Sequence, residues 1–524
     1  MRNHNMSRRT SLPVLGTGGA RPADGAAVDA NGHAARVGVV TLGCDKNTVD
    51  SERILAGLHG AGAHVVDDAT AADVVIINTC GFIDVAKDES IAAILDAVRL
   101  KCDGRVRAVV AMGCLVQRYK AELERELPEV DVLLGLTEAE RLVPELRARG
   151  LLPASSAGVP LMELPLRRLA TRTRHSSYLK VSEGCDHGCA FCAIPLMRGK
   201  HRSTPIPRLV DEAAELEADG VVELNIVSQD TTWYGRDLVR GRDSGEGEFY
   251  FGKPFAGMAG PRPQTPLTQA HANRRPMQLD TREKRTGLLP DLLRALLDGT
   301  AIPWLRLFYM YPSGITRELV DLIAGEPRIV PYLDMPIQHG SDAVLERMRR
   351  PERRSTILER VAWLRDAIPD LTLRTTVIVG FPGETEDDFE ALLDLLEEVR
   401  FDRLGAFGYS VEEGTRAAAL PNQVSESVRR ERLERVLEAQ RAITAEQNDA
   451  WVGRAVTLLI DESGASEAAR AVGRTRGQAR DIDGVVHVGG AHGTRPGDLV
   501  RARITGSEEE DLVAVRVDGE SIGR

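Results

Sequence analysis

Short apolar runs alternate with helical periods along most of this chain, and the spacing of that alternation predicts its architecture. Val37 to Leu42, Val74 to Asn78 and Val109 to Met112 are apolar almost throughout, and apolar positions at helical spacing follow each of them. Runs that are apolar on both faces belong to buried strands, so residues 36–150 should form a parallel sheet with helices on both sides. A second series opens at Tyr178–Val181 and continues through Glu223–Ser228, Trp304–Met310, Tyr332–Met335, Leu373–Val379 and Arg403–Tyr409. Five or six strand-helix units of this kind predict a full or partial (β/α) barrel over 171–450, with its chemistry at the C-terminal ends of the strands. After a charged helical stretch from about Ser425 to Gln447, residues 452–524 alternate apolar and polar positions with frequent glycine, as in a small antiparallel β-barrel. The predicted class is α/β with a small β-barrel at its end.

Two stretches fall outside these periods. Residues 1–35 are rich in Gly, Ala, Asn and Arg and read as a disordered extension. Residues 237–287 carry many glycines and prolines with few aliphatic side chains, and read as a mobile insertion in the barrel.

A length of 524 residues agrees with about three such units. The net charge of −11 lacks the basic footprint of a general nucleic-acid binder and suits a basic protein partner better. The tail from Val452, with ten arginines against twelve acidic residues, shares that balance. Seven cysteines are too few for a disulfide scaffold and point to a reducing, cytoplasmic setting. No secretory core and no run of about 18 apolar residues is found, so no membrane span is expected.

The cysteines change the picture most. Cys185, Cys189 and Cys192 stand in one loop directly after a predicted strand. Three thiolates can hold three irons of a 4Fe-4S cluster and leave the fourth iron open, whereas a structural zinc usually takes four ligands. Cys44, Cys80 and Cys114 are 36 and 34 residues apart and form no local motif. Yet each follows one of three successive strands, and parallel sheets bind ligands along that edge. Spacing alone leaves them open as ordinary buried thiols; placement favours a second cluster. Cys102, between a helix and a strand, fits neither set and reads as a bystander. Phe191, just before Cys192, either packs the loop or touches a cofactor. Gly380 and Gly383 lie in a turn from strand to helix that by itself is an ordinary connection, and His339 reads as a hydrogen-bonded structural histidine.

The run Cys185-Asp186-His187-Gly188-Cys189-Ala190-Phe191-Cys192 resembles the radical S-adenosylmethionine (SAM) signature, and the upstream cysteines resemble the second cluster of the methylthiotransferases. The resemblance covers about Val37 to Val517 without the insertion. It implies a methylthiotransferase N-terminal domain (36–150), a radical SAM domain (171–450) and a TRAM barrel (452–524). The stretches Ser228-Gln229-Asp230-Thr231, Tyr309-Met310-Tyr311-Pro312 and Tyr332 to His339 are similar to the branch that modifies an aspartate of ribosomal protein S-twelve. The tRNA-modifying branch typically has Gly-Gln-Asn-Val at the first of these and Ser-Gly in place of His339-Gly340.

That resemblance implies two 4Fe-4S clusters, held by Cys185, Cys189 and Cys192 and by Cys44, Cys80 and Cys114. SAM serves as radical source and methyl donor, and an electron donor and a sulfur carrier act as partners. The product implied is 3-methylthioaspartate in S-twelve. Phe191, Ser228, Gln338, Arg374, Gly380, Gly383 and Glu384 are the candidate SAM contacts, with no catalytic residue named beyond the clusters. A tRNA adenosine methylthiotransferase and a non-catalytic iron-sulfur module are the alternatives.

Overall fold

The computed structural model describes residues 35–66, 68–152, 175–239, 287–464 and 470–521. Apart from their ends, the extension expected over 1–35 and the insertion expected over 237–287 lie outside the described residues.

The first unit is a five-stranded parallel sheet of β1 (Arg36–Thr41), β2 (His64–Val65), β3 (Val74–Thr79), β4 (Ala108–Gly113) and β5 (Val132–Leu134). Its strand order is β2-β1-β3-β4-β5. Alternate side chains serve opposite faces. Val37, Val39, Ile76 and Val110 enter one hydrophobic core, while Val40, Val75, Ile77 and Val109 enter the other. This double burial is why the strands read as unbroken apolar runs. The edge strands β2 and β5, two and three residues long, are too short to show a period. The strand order reverses between β1 and β3, which opens a crevice at their C-terminal ends, the usual ligand position in such sheets.

The second unit is an open six-stranded parallel sheet of β6 (Ser176–Lys180), β7 (Glu223–Val227), β8 (Trp304–Leu307), β9 (Ile329–Asp334), β10 (Thr372–Val379) and β11 (Arg403–Gly408), in the order β11-β10-β9-β8-β7-β6. Its first and last strands do not pair, so of the two expected forms the partial barrel is the one found. The strand β9 begins three residues before the predicted Tyr332, with Pro331, a residue that argues against a strand, inside it. Proline has no N–H for the ladder, and the β8/β9 register shifts there, from Leu305 opposite Ile329 to Leu307 opposite Leu333.

The third unit is a closed five-stranded barrel of β12 (Ala455–Glu462), β13 (Ala471–Arg474), β14 (Val486–Gly489), β15 (Leu499–Glu508) and β16 (Asp511–Ser521). It departs from the all-antiparallel expectation at one pair: β14 and β16 run parallel. A closed ring with an odd number of strands cannot alternate direction all the way round, so one parallel pair is obligatory.

Buried charge joins this barrel to the middle unit. Arg474 Nη2 donates to Glu223 Oε2 at 2.7 Å and Arg306 Nη2 to Glu223 Oε1 at 2.9 Å, while Arg474 Nε donates to Asp461 Oδ2 at 2.6 Å. Burial alone would raise the Glu223 carboxyl, but the two guanidinium groups outweigh it and hold it well below the carboxylate range.

Candidate functional site

Cys44, Cys80 and Cys114 all lie at the C-terminal edge of the first sheet. Cys44 is the residue before helix α1 (Asp45–Gly60), Cys80 follows β3 and precedes α2 (Asp84–Cys102), and Cys114 opens α3 (Cys114–Glu126). Gly43 takes φ +88°, and a Cβ there would stand 2.7 Å from Cys80 Cβ and 2.8 Å from its Sγ. The loop therefore needs glycine for both its backbone and its close approach to Cys80. Ser90 clamps Cys80, accepting from its N–H and donating to its carbonyl, both at 2.9 Å. Asn47 donates to the Leu42 carbonyl at 2.8 Å and the Thr79 carbonyl at 3.1 Å, tying the ends of β1 and β3 together.

Burial is the largest influence on the Cys80 and Cys114 thiols. It pushes Cys80 up to about 11 and Cys114 up to about 12, with the neighbouring cysteines adding to both. Without metal they are neutral thiols; a cationic cluster would convert them to the thiolates it binds. The soft sulfur donor set and its crevice position fit an iron-sulfur group.

The second trio is held by a loop after β6. Gly184 takes φ +74°, and a Cβ there would lie 2.2 Å from the Lys200 carbonyl oxygen. The loop is fastened by Cys185 N donating to Gly199 O at 3.0 Å and Ala190 N to Met348 O at 2.9 Å. Burial pushes Cys192 up to about 12, and Cys185 is raised by burial as well. The Cys189 Sγ lies 3.8 Å from the Tyr311 hydroxyl and 3.9 Å from Arg350 Nη1. Burial opposes the charge of Arg350, but Tyr311, Glu352 and Cys189 more than restore it. Among the described residues no three His, Cys, Asp or Glu side chains converge on one metal ion. Cluster ligation asks something different, since each thiolate takes its own iron.

Arg198 joins the two trios. It ends the short helix α4 (Ile194–Arg198) just beyond Cys192 and is wholly buried against the first unit. Its guanidinium donates to Asn47 Oδ1 at 2.6 Å, to Asp50 Oδ2 at 3.2 Å and to Glu183 Oε1 at 2.8 Å. Lys180, at the end of β6, completes the group by pairing with Asp50 and with Glu183 at 2.6 Å. Two cations thus face two carboxylates, and Glu183 and Asp50 hold Arg198 charged against its burial, with Cys114 and Cys44 nearby. Cys114 also packs with Ala193 and Met197 from the second trio's side. A further tie is Tyr309, at φ +58° beyond β8, whose hydroxyl lies 3.1 Å from Asp45 Oδ1 while the Lys46 ammonium stands 3.0 Å over its ring. The two strand-end edges face each other.

The remaining candidates divide into three groups. Ser228 is buried at the end of β7, its hydroxyl 2.6 Å from that of Ser182 in the cysteine loop. Gln338 is half-buried and takes φ +71°, an uncommon backbone for a non-glycine residue, and its N–H donates to the Thr376 carbonyl at 2.9 Å. Phe191 packs partly against the cluster of Phe381 and Tyr409. Gly380 and Gly383 both take positive φ in the turn after β10. Arg374 and Glu384 have other engagements. Arg374 donates to Asp334 Oδ1 at 2.6 Å and lies 3.9 Å from Asp483 of the small barrel. Glu384 is buried, accepts from Arg432 at 2.8 Å and lies 3.5 Å from His339, whose Nδ1 accepts from the Ser341 N–H. Cys102 ends α2 on the surface, away from both trios.

Sequence reasoning did not single out Arg198, Asn47, Asp50, Lys180 or Tyr311. Lys180 had a signal in retrospect, as the one cation in the strand that leads into the cysteine loop, whereas Arg198 is followed at once by Lys200 and Arg202.

Three family models match the chain: the uncharacterized protein family UPF0004 over residues 36–135, the radical SAM superfamily over 179–396 and the TRAM domain over 452–517. The chain is 41% identical over 487 residues to the ribosomal protein uS12 methylthiotransferase RimO of Symbiobacterium thermophilum, covering 92% of this chain and 91% of that one. It is 43% identical over 485 residues to the RimO of Anaeromyxobacter sp. strain K, covering 92% and 93%. Geobacter sulfurreducens RimO is 41% identical over 482 residues, covering 91% and 98%. Among solved structures, the radical SAM methyltransferase TsrM of Kitasatospora setae aligns with a TM-score of 0.45 and 15% identity over 71% of this chain and 72% of that one.

Proposed function

This chain belongs to the RimO family of ribosomal protein uS12 methylthiotransferases, and from that premise we infer how its residues divide the work. It is a radical SAM methylthiotransferase acting on uS12. The finer reading is that Cys185, Cys189 and Cys192 hold one 4Fe-4S cluster and Cys44, Cys80 and Cys114 hold another. The first, with SAM, would supply hydrogen-abstracting chemistry, and the second would hold the sulfur to be methylated and transferred to the β-carbon of an aspartate.

The observation that carries this reading is the contact of Arg198 with Asn47, which sets the two cysteine edges against each other across one buried charge group. This chain's residues would then do three things. Gly43 lets the end of β1 close on Cys80, and Gly184 lets the cysteine loop close on the Gly199–Lys200 backbone. Arg198 places positive charge beside Cys80 and Cys114, favouring their ionised form, and Lys180 helps balance the Asp50 and Glu183 carboxylates around it. Ser228, Gln338 and the Gly380–Gly383 turn offer polar and backbone groups for SAM, with Phe191 beside them. Arg374 and Glu384, already ion-paired, support the wall of that site. An electron donor and a sulfur carrier would be its partners, and a ribosomal protein as substrate favours a cytoplasmic reaction. Among the described residues no helix is long and apolar enough to cross a membrane.

Anaerobic reconstitution of Cys80→Ala and Cys185→Ala protein tests the division. Cys80→Ala should still cleave SAM yet add no mass to uS12, and Cys185→Ala should do neither. A mass gain on tRNA alone would overturn the substrate, and loss of SAM cleavage in Cys80→Ala would overturn the division.

A further inference from the structure

On the outer side of the Cys185–Cys192 loop lies a cavity of about 610 Å³ that the reaction described above does not use. Its wall includes Asp186, His187 and Gly188, the backbone between two cluster cysteines, so here open space comes within one loop's thickness of the second trio. Four of its lining residues are arginines, Arg236, Arg349, Arg350 and Arg353, against the acidic Asp186 and Glu346. In a chain of net charge −11, that is a local reversal of sign. Arg349 is exposed, and its guanidinium lies 4.0 Å from where a Cβ on Gly188 would be. Arg353 donates to the carbonyls of Arg350 and Glu352, and neither it nor Arg349 has an ion-pair partner among the described residues.

A column of planar groups leads from this cavity to the cysteine loop. Arg236 lies over Trp233 at 4.3 Å, and Trp233 stacks on His187 with ring centroids 3.8 Å apart. His187 stacks on Tyr311 at 4.2 Å with the rings nearly parallel, and Arg350 closes the column 3.9 Å beyond Tyr311. The Tyr311 hydroxyl then reaches the Cys189 sulfur at 3.8 Å. Asp230 fixes His187 by a 2.7 Å contact with its Nε2. A cavity built only to bind an anion would not require stacked π-systems that end on a cluster thiol, whereas electron entry would use both features.

We propose that this cavity is the docking site of an acidic one-electron carrier protein, and that Trp233, His187 and Tyr311 form the route from the docked carrier to Cys189. The inference rests on the reading of the Cys185, Cys189 and Cys192 trio as a redox cluster. The carrier is oxidised by one electron, the cluster is reduced by one, and no bond forms or breaks in the step. Arginines facing solvent would steer a partner of opposite sign and make the encounter sensitive to salt.

The test uses reconstituted full-length protein with two reductants, a purified acidic flavodoxin in its hydroquinone form and the small cationic radical of methyl viologen. In Arg349→Glu, alone and combined with Arg353→Glu, flavodoxin should bind roughly tenfold more weakly by calorimetry. Stopped-flow reduction by flavodoxin should slow by a similar factor and lose its salt dependence, while reduction by viologen stays within about twofold. Trp233→Leu should keep flavodoxin affinity and slow the transfer. Unchanged flavodoxin binding in the charge-reversed protein, or equal slowing with both reductants, would overturn the proposal. Viologen-reduced wild-type protein that fails to cleave SAM would instead overturn the functional reading, and the calorimetric comparison would still decide the docking.

Discussion

Cys44, Cys80 and Cys114 come from the ends of three strands, whereas Cys185, Cys189 and Cys192 come from one loop of eight residues, and the difference decides what each site depends on. The loop carries its ligand spacing in its own covalent chain. Two backbone bonds and one glycine seat it on the second sheet. The strand-end trio has no such spacing and exists only once a whole sheet has formed. It is accordingly tied by side chains, with Asn47 spanning β1 and β3 and Ser90 bracketing Cys80. One site is local and the other is a product of topology, and Arg198 couples them.

The strongest way to break this comparison is at the coupling. Arg198→Leu removes one of two buried cations and leaves Asp50 and Glu183 sharing Lys180 alone. It should cost about 3–5 kcal/mol in urea unfolding of the iron-free protein, the usual result of stripping one partner from a buried ion-pair group. An unchanged midpoint would mean that the two edges are independent. The glycines give a sharper separation at smaller cost. Gly43→Ala should lose about half of the iron and keep SAM cleavage, while Gly184→Ala should lose about half of the iron and SAM cleavage with it. Iron analysis and cleavage assays on both variants check this, and a loss of all iron in either would erase the distinction. The smallest expected effect is at Cys102. Cys102→Ser should change stability by less than about 0.5 kcal/mol and leave the iron content intact, because the thiol is exposed at a helix end.

The same contrast explains what could be read from the sequence. The first series of strands was legible because burial on two faces writes itself as Val and Ile runs, the second because strand-like segments recur between helical periods, and the Cys185 loop because its information is local. That the three strand-end cysteines share an edge followed from the rule for parallel sheets, without any knowledge of which strands are neighbours. Arg198, Asn47 and Asp50 were not legible, since their meaning comes from the docking of one unit on another, across 148 residues between Arg198 and Asp50. The left-handed backbones of Tyr309 and Gln338 were hidden for a related reason: packing at the strand ends imposes them, and local propensity does not favour them. Arg374 and Glu384 show another limit of the sequence, which marks polar residues at promising positions without showing that Asp334 and Arg432 already match their charge. The parallel pair in the small barrel was invisible to alternation, which reports faces and says nothing of strand direction.

The buried junction of Glu223, Arg306 and Arg474 bears on the order in which the chain can be completed during its own synthesis. Glu223 and Arg306 belong to the middle sheet, yet the second guanidinium that Glu223 requires is made 251 residues after it. Until that late arginine has cleared the ribosomal tunnel, the middle sheet carries a carboxylate matched on one side alone, so its last increment of stability arrives with the C-terminal barrel. A nascent chain halted before β13 would wait in a looser form, so the middle sheet would be completed only by a strand made long after its own.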